Sequence, residues 1–408
     1  MNILLTEGSG LTSRQVATRL GELGHRVEVL SSTPICLTRF TKHVRKVHSV
    51  PRFGSEPLAW MEAAAKVCRD NAIDMLFPTQ EQAAVVSALQ GALPVRTVVP
   101  AFDSLAAVQN KISAYQTLAE IGVPQPRAFV IEDEKNLTKI ERYPVFLKQP
   151  VSTASSGVRR ARSEAELREA ARALGLGRQP LIAQEAAFGR LAMIQALADD
   201  GRLIAFHANV RVREGVGGGA SVKESFPLPD IAAHVERLVR ALRWRGPISF
   251  DAILAESGPL VIDVNPRLVE PMNAFRSGVD LVAMMLDLAL AQPVAAQPAG
   301  KPGVRTHQLL IAILGAARDG RLTVAGEVLA ALRRHGDYEN SVEELTPLRG
   351  DPLTALPLLA AAALTLAWPP AAKLFERGAV SAYALTPEAW AEIVGAAKGG
   401  ASMEQRRN

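Results

Sequence analysis

The chain has 408 residues, 48% of them hydrophobic, enough for about two to four domains with sizeable cores. Its 46 Lys and Arg against 41 Asp and Glu leave a net charge of +5. That charge is scattered, which argues against nucleic acid as a partner, because nucleic acid wants a clustered basic face. Cys36 and Cys68 make no metal-binding or disulfide-framework spacing, so a reducing cytosol is expected. The opening Asn2-Ile3-Leu4-Leu5 reads as a strand and not as a signal peptide.

Residues 1–103 alternate strands and helices. Strand patterns fall at Ile3–Leu5, Arg26–Leu30, Met75–Phe77 and Thr97–Val99, with helices at Ser13–Leu23, Leu58–Asn71 and Glu81–Leu89. Such alternation predicts a parallel sheet covered on both faces, with ligands at the carboxyl ends of its strands. The first loop, Glu7-Gly8-Ser9-Gly10, suggests a dinucleotide fingerprint but lacks its third glycine. Ser31-Ser32 follows the second strand in place of an acid that would hold a ribose. A tight strand-to-helix turn is the better reading.

One helix is expected from Ser104 to Ile121, ended by Gly122-Val123-Pro124. A mixed α+β unit is expected over 104–291. Gln292 to Gly303, rich in Pro, Ala and Gly, reads as a linker. A mostly helical region is expected over 304–408. Within it the charge-free run Pro352–Ala372 is short of the ~20 apolar residues of a membrane span. It reads as a buried helix or, more sharply, as a membrane-docking hairpin that makes residues 349–408 dispensable for chemistry.

The strongest local signal is Ile248-Ser249-Phe250-Asp251-Ala252-Ile253-Leu254, a short turn containing Gly258, and Leu260-Val261-Ile262-Asp263-Val264-Asn265-Pro266-Arg267. Two apolar strands about a short turn predict an antiparallel hairpin. Asp263 and Asn265, two apart, share one face, and Asp251 interrupts the other strand. Oxygens gathered on one face suit a hard cation such as Mg²⁺, which takes few protein ligands and keeps the rest for phosphate and water. Solvated hairpin residues are the alternative, but that leaves acids in otherwise buried strands, where an unpaired charge is costly.

Asp-Val-Asn-Pro-Arg after a strand carrying an acid resembles the metal-binding end of ATP-grasp enzymes, and the resemblance runs from about residue 1 to residue 290. It implies a parallel-sheet pre-grasp domain, an ATP-grasp fold, and ATP and Mg²⁺ as cofactors, with Mn²⁺ as a substitute. Asp251, Asp263 and Asn265 would hold the metal, and Arg267 would stabilise the transferring phosphoryl group. Asn110-Lys111 resembles the first ATP lysine, where the family usually has Asp-Lys. Pro144-Val145-Phe146-Leu147-Lys148 resembles the strand of the second. The loop Ser152–Gly157 stands where the family has a glycine-rich flap, giving Ser155, Ser156 and Gly157 as phosphate contacts. Gln184, Glu185 and Ala187 resemble the adenine-reading hinge. Leu191 replaces a ribose-binding glutamate.

Arg211 and Arg213 alternate onto one strand face before Gly217-Gly218-Gly219. Either Arg211 or Arg213 is expected to hold a γ-phosphate or a carboxylate, with a solvent-facing edge strand as the alternative. Glu81 is the pre-grasp residue expected to touch substrate, with an ordinary acid at a helix N-terminus as the alternative.

The implied activity is a ligase that makes an acyl phosphate from a carboxylate and passes it to an amine. The rivals are activation of bicarbonate, as in carbamoyl-phosphate-synthase-like and carboxylase branches, and a non-catalytic ATP-binding module. Small-molecule partners and a cytoplasmic location are expected. Peripheral membrane contact through 352–372 is the sharper option, and a homodimer is compatible.

Overall fold

A computed structural model describes residues 1–153 and 156–405. In the first layer, β1 (Asn2–Leu5), β2 (Arg26–Ser31), β3 (Val44–Ser49) and β4 (Met75–Phe77) form a parallel sheet in the order β3-β2-β1-β4. Helix α1 (Leu11–Glu22) follows β1, and α2 (Pro57–Asp70) and α3 (Ala83–Ala88) flank β4. Strand β3 is an element the sequence pattern did not suggest, because Arg45, Lys46 and His48 break its apolar run. Thr97–Val99 forms no strand; Arg96 alone bridges to Met75.

The expected long helix over 104–121 is two. Helix α4 (Phe102–Gln109) stops at Asn110, whose backbone is extended and whose side-chain Oδ1 caps α5 (Lys111–Ile121) by accepting the Ile112 N–H at 2.8 Å. Asn and Asp cap equally well, so the departure from Asp-Lys costs this position nothing.

A second sheet, ordered β5-β8-β6-β7, is built from β5 (Ala128–Ile131), β6 (Val145–Lys148), β7 (Val158–Ala161) and β8 (Leu181–Glu185). Helix α6 (Glu164–Ala173) covers it. The third and largest sheet has seven strands. Its first five in chain order are β9 (Arg190–Asp199), β10 (Arg202–Glu214), β11 (Ala220–Ser225), β12 (Gly246–Ala255) and β13 (Gly258–Asn265). Helix α7 (Pro229–Ala241) packs on it with α5, closing a core around Trp244 and Phe250. The short helices α8 (Met272–Ser277) and α9 (Leu281–Ala289) join it to the parallel layer.

The region beyond 303 is mostly helical, as expected. It is not only helical: β14 (Arg305–His307) pairs with β11, and, after α10 (Leu309–Ala316) and α11 (Arg321–Arg333), β15 (Ser341–Glu343) pairs with β14. It also packs into the core of the first layer. Helices α12 (Ala355–Ala367), α13 (Ala371–Tyr383) and α14 (Pro387–Gln405) complete the chain. Leu385, Ala389 and Ile393 sit in the same core as Leu4, Trp60 and Leu76. Asp351, fully buried, lies 3.4 Å from the buried guanidinium of Arg14 and accepts the Lys42 N–H at 3.1 Å. Burial lowers the Arg14 pKa to about 10, against the pull of Asp351.

The apolar run is thus a folded element. Helix α12 is 13 residues, ~20 Å long, short of the ~30 Å hydrocarbon layer. It packs Leu358 and Ala361 on α10 and α11. Among the described residues no helix is long and apolar enough to cross a membrane.

Candidate active site

The hairpin forms as its pattern requires. Strands β12 and β13 pair antiparallel with Asp251 directly opposite Asp263 and Ser249 opposite Asn265, which places all four on one face. Burial, then the neighbouring Asp263 carboxylate, pushes the Asp251 carboxyl up to about 7. Burial acts in the same direction on Asp263, but Lys111 and Lys148 outweigh it and hold its pKa below the usual range. Two opposed carboxylates, one short of neutralisation, with an amide oxygen beside them, fit a dication. Among the described residues no cluster of three or more His, Cys, Asp or Glu could enclose a metal. The donor set suits Mg²⁺ in company with phosphate, since that ion keeps most of its shell for water and phosphates.

Lysines from the smaller sheet's side reach this face of the larger one. Lys111, the first residue of α5, lies 3.0 Å from Asp263 Oδ1. Lys148, at the end of β6, donates to Gln184 Oε1 at 2.8 Å and to the Ile262 carbonyl at 2.9 Å. Burial lowers the Lys148 pKa to about 8. The cleft between the sheets is lined by Lys111, Tyr115, Lys148, Ile182, Gln184 and Val264. Two ammonium groups, a polar amide and apolar walls are the donor set of a nucleotide site. At its hinge the Glu185 and Ala186 N–H groups are spent on the Arg127 and Pro144 carbonyls. The Ala187 N–H donates to no protein acceptor among the described residues.

The described residues of the loop after β6 are hydrogen-bonded to one another. Gln149 N–H donates to the Gly157 carbonyl, and Ser156 turns back onto the Thr153 carbonyl through both its N–H and its hydroxyl. A Cβ at Gly157 would come 2.5 Å from Ser152 Cβ, so glycine is required by close approach. The Leu385 N–H donates to Thr153 Oγ1 at 3.1 Å, tying this loop to the far end of the chain. Ser155 lies outside the described residues.

Arg267 and Glu81 meet, with Arg267 Nη2 3.1 Å from Glu81 Oε1. Arg211 does not join them. Its guanidinium donates to the Gly218 carbonyl at 2.7 Å and pairs with Glu214, bracing the triple-glycine turn. Arg213 is bound to Glu327, Asp337 and Tyr338. Irregular pairing of β10 with β11 at Arg211 and Arg213 breaks the alternation on which the expectation rested. The first loop gives a physical reason against a dinucleotide. Glu7 itself accepts the Ser9 and Gly10 N–H groups, where a pyrophosphate would have to bind.

Beyond Asp251, Asp263, Asn265 and Arg267 opens a cavity of about 640 Å³. Its polar wall includes Gln195, Lys223, Glu270 and Tyr383, none of which sequence reasoning singled out. Lys223 is buried between Glu270 and Glu344, 2.9 Å from Glu344; burial opposes its charge, but the two carboxylates outweigh burial and raise its pKa. Burial likewise raises the Tyr383 pKa, keeping the phenol a donor near Arg267, Glu81 and Glu270. A lysine in a strand and a tyrosine in a late helix carry no local signal. The one clue lay in Glu270, an acid three residues past the Asn-Pro-Arg run.

Residues 108–271 match the family model described as an ATP-grasp domain, and this stretch of the chain is an ATP-grasp domain. Among solved structures, the biotin carboxylase–β-γ-ATP complex of Campylobacter jejuni is 16% identical. The match covers 74% of each chain with a TM-score of 0.59. The biotin carboxylase domain of Hydrogenobacter thermophilus 2-oxoglutarate carboxylase, with MgADP, ADP and bicarbonate, is 16% identical over 74% of this chain and 73% of that one, TM-score 0.59. The N5-carboxyaminoimidazole ribonucleotide synthetase of Thermus thermophilus is 20% identical over 75% of this chain and 81% of that one, TM-score 0.57. At these identities the likeness is one of fold. No curated protein sequence matches the chain.

Proposed function

We propose that the protein is a Mg-ATP-dependent ligase that activates a carboxylate as an acyl phosphate and passes the acyl group to an amine. The observation that carries it is the meeting of Lys111 and Lys148 with Asp263 at the mouth of a 640 Å³ cavity. In this reading residues 1–103 are the pre-grasp domain and 104–291 the ATP-grasp domain. The two cysteines are free and buried, which suits a cytoplasmic enzyme.

Lys111 and Lys148 would neutralise phosphate oxygens, with Gln184 and the Glu185–Ala187 hinge against the base. Asp251, Asp263 and Asn265 would hold Mg²⁺, which supplies charge stabilisation to the transferring phosphoryl group. Arg267, steered by Glu81, donates to the same group, which is mostly electrostatic work. A carboxylate oxygen attacks the γ-phosphorus and the bond to the β-bridging oxygen breaks, releasing ADP. The amine lone pair then attacks the acyl carbon, the C–O bond to phosphate breaks, and phosphate departs. The Ser152–Gly157 loop, with Tyr383 on the cavity side, keeps water from the acyl phosphate.

The test is ADP release with hydroxylamine trapping across a panel of carboxylates and amines. Hydroxamate formed with one carboxylate, and amide with one amine, is the expected result; ATP binding without any acceptor-stimulated ADP release would defeat it. Bicarbonate as the activated acid is a second reading, favoured by the carboxylases among the structural neighbours. ADP release stimulated by bicarbonate alone would select it.

A further inference from the structure

The cavity beyond the hairpin has two unlike walls. The apolar one begins with α10, whose Leu310, Ile311 and Leu314 recur at helical spacing along one stripe facing the space. Leu37 and Phe40 from the loop after β2, and Phe375 from α13, also line it. At about 640 Å³ the cavity is within the range that takes a drug-sized molecule, far more than phosphate and a small acid need.

At the corner of the same cavity formed by Gln195 and Glu270, the unpaired atoms are acceptors. Gln195 is 2% exposed, and its Nε2 donates to the Val269 carbonyl at 3.1 Å. That fixes its amide orientation and leaves Oε1 without a donor among the described residues. One residue on, Glu270 uses Oε2 to accept from Lys223 and Gln308; its Oε1 has no donor among the described residues. One ammonium between Glu270 and Glu344 leaves a negative charge uncompensated. Glu270 is also held at φ 41°, a left-handed conformation that costs a non-glycine residue and persists where the surroundings enforce it. A carboxylate placed here would face two acceptors and excess negative charge. An ammonium would satisfy both oxygens.

We propose that the nucleophile is a primary amine with a large apolar body, its ammonium received by Gln195 Oε1 and Glu270 Oε1 and its body lying along Leu310, Ile311 and Leu314. This rests on the ligase reading and names its second substrate class. The ammonium passes one proton to Glu270, and the freed lone pair attacks the acyl phosphate carbon. The C–O bond to phosphate breaks, and the departing phosphate takes the second proton. Gln308, which donates to Glu270, immediately precedes α10, so the charged anchor and the apolar stripe are consecutive in the chain.

The experiment is calorimetric titration of the full-length protein with n-butylamine, n-hexylamine and n-octylamine, and with the matching butanoate, hexanoate and octanoate. Mg-ATP is titrated separately. Amine affinity should rise roughly fourfold per added methylene, and each acid should bind at least tenfold more weakly than its amine. Leu314→Trp, which fills the apolar end, should cut octylamine affinity at least tenfold and spare butylamine. Glu270→Gln should weaken all three amines alike. Amine affinity independent of length, or acids binding as tightly as amines, overturns the inference. If Mg-ATP binds while the amine series is flat, only this inference fails. If Mg-ATP does not bind, the ligase reading fails whatever the amines do.

Discussion

At the polar mouth of the cavity, Asp251, Asp263, Asn265 and Arg267 come from one hairpin and the residues just past it. The apolar end instead draws Leu37, Leu314 and Phe375 from segments far apart in the chain. The first arrangement is local: a period-two pattern puts acids on one face whatever the rest of the chain does. The second exists only after three layers have packed. A hairpin motif can therefore declare chemistry in the sequence while the pocket that selects the substrate stays silent there.

The sharpest way to break this contrast is at Asp351, the point where the last third of the chain locks onto the first helix. Asp351→Ala would strand the buried Arg14 guanidinium and should cost ~3–5 kcal/mol in thermal or denaturant unfolding. An unchanged melting temperature would mean that the C-terminal region is the detachable unit the sequence suggested. Next in size is the local end. Asp263→Asn should lower ADP release by about 10³-fold, as loss of a catalytic metal ligand does. Asp251→Asn removes a carboxylate already pushed up to about 7, so its fold should hold as well as the parent's. Turnover near normal in Asp263→Asn would detach the chemistry from this hairpin.

A third probe uses pH. Burial raises the Glu7 carboxyl to about 7, above its usual 4.5, in spite of the N–H groups it accepts. The folded state keeps this proton where the unfolded chain has lost it. Its contribution is complete below about pH 4.5 and is lost as pH rises to about 7, on the order of 3 kcal/mol. Glu7→Gln should flatten that part of the stability profile, measured by urea unfolding at a series of pH values. The smallest effect belongs to Arg211. Its partners are the Gly218 carbonyl and Glu214, so Arg211→Ala should cost ~1 kcal/mol or less and change ADP release little. A loss of about 10²-fold, the size expected for a single charge-stabilising donor, would return it to the catalytic set.

Much of the architecture was readable from periodicity: three of the four strands of the parallel sheet, and the hairpin with both its acids. What escaped did so for identifiable reasons. Strand β3 carries too many charges to look apolar, because one of its faces is solvated. The break at Asn110 is a cap inside a continuous helical pattern, and a cap is a backbone event that side-chain periodicity does not register. Arg211 lies apart from Arg267 where strand alternation fails at irregular pairing. Lys223, Gln195 and Tyr383 acquire meaning only through the partners that tertiary packing gives them.

The ion pair between Lys111 and Asp263 makes the proposed metal site a place of counterion exchange. A free dication arriving alone must evict an ammonium already 3.0 Å from its ligand and leave that ammonium without a partner. A dication escorted by phosphates brings the replacement anion with it, so Lys111 changes partners without ever losing one. Metal and nucleotide should therefore be strongly cooperative, each raising the affinity of the other by the same factor. Free Mg²⁺ at millimolar concentration should barely shift the melting curve, whereas the same metal with ATP should shift it by more than the two added separately.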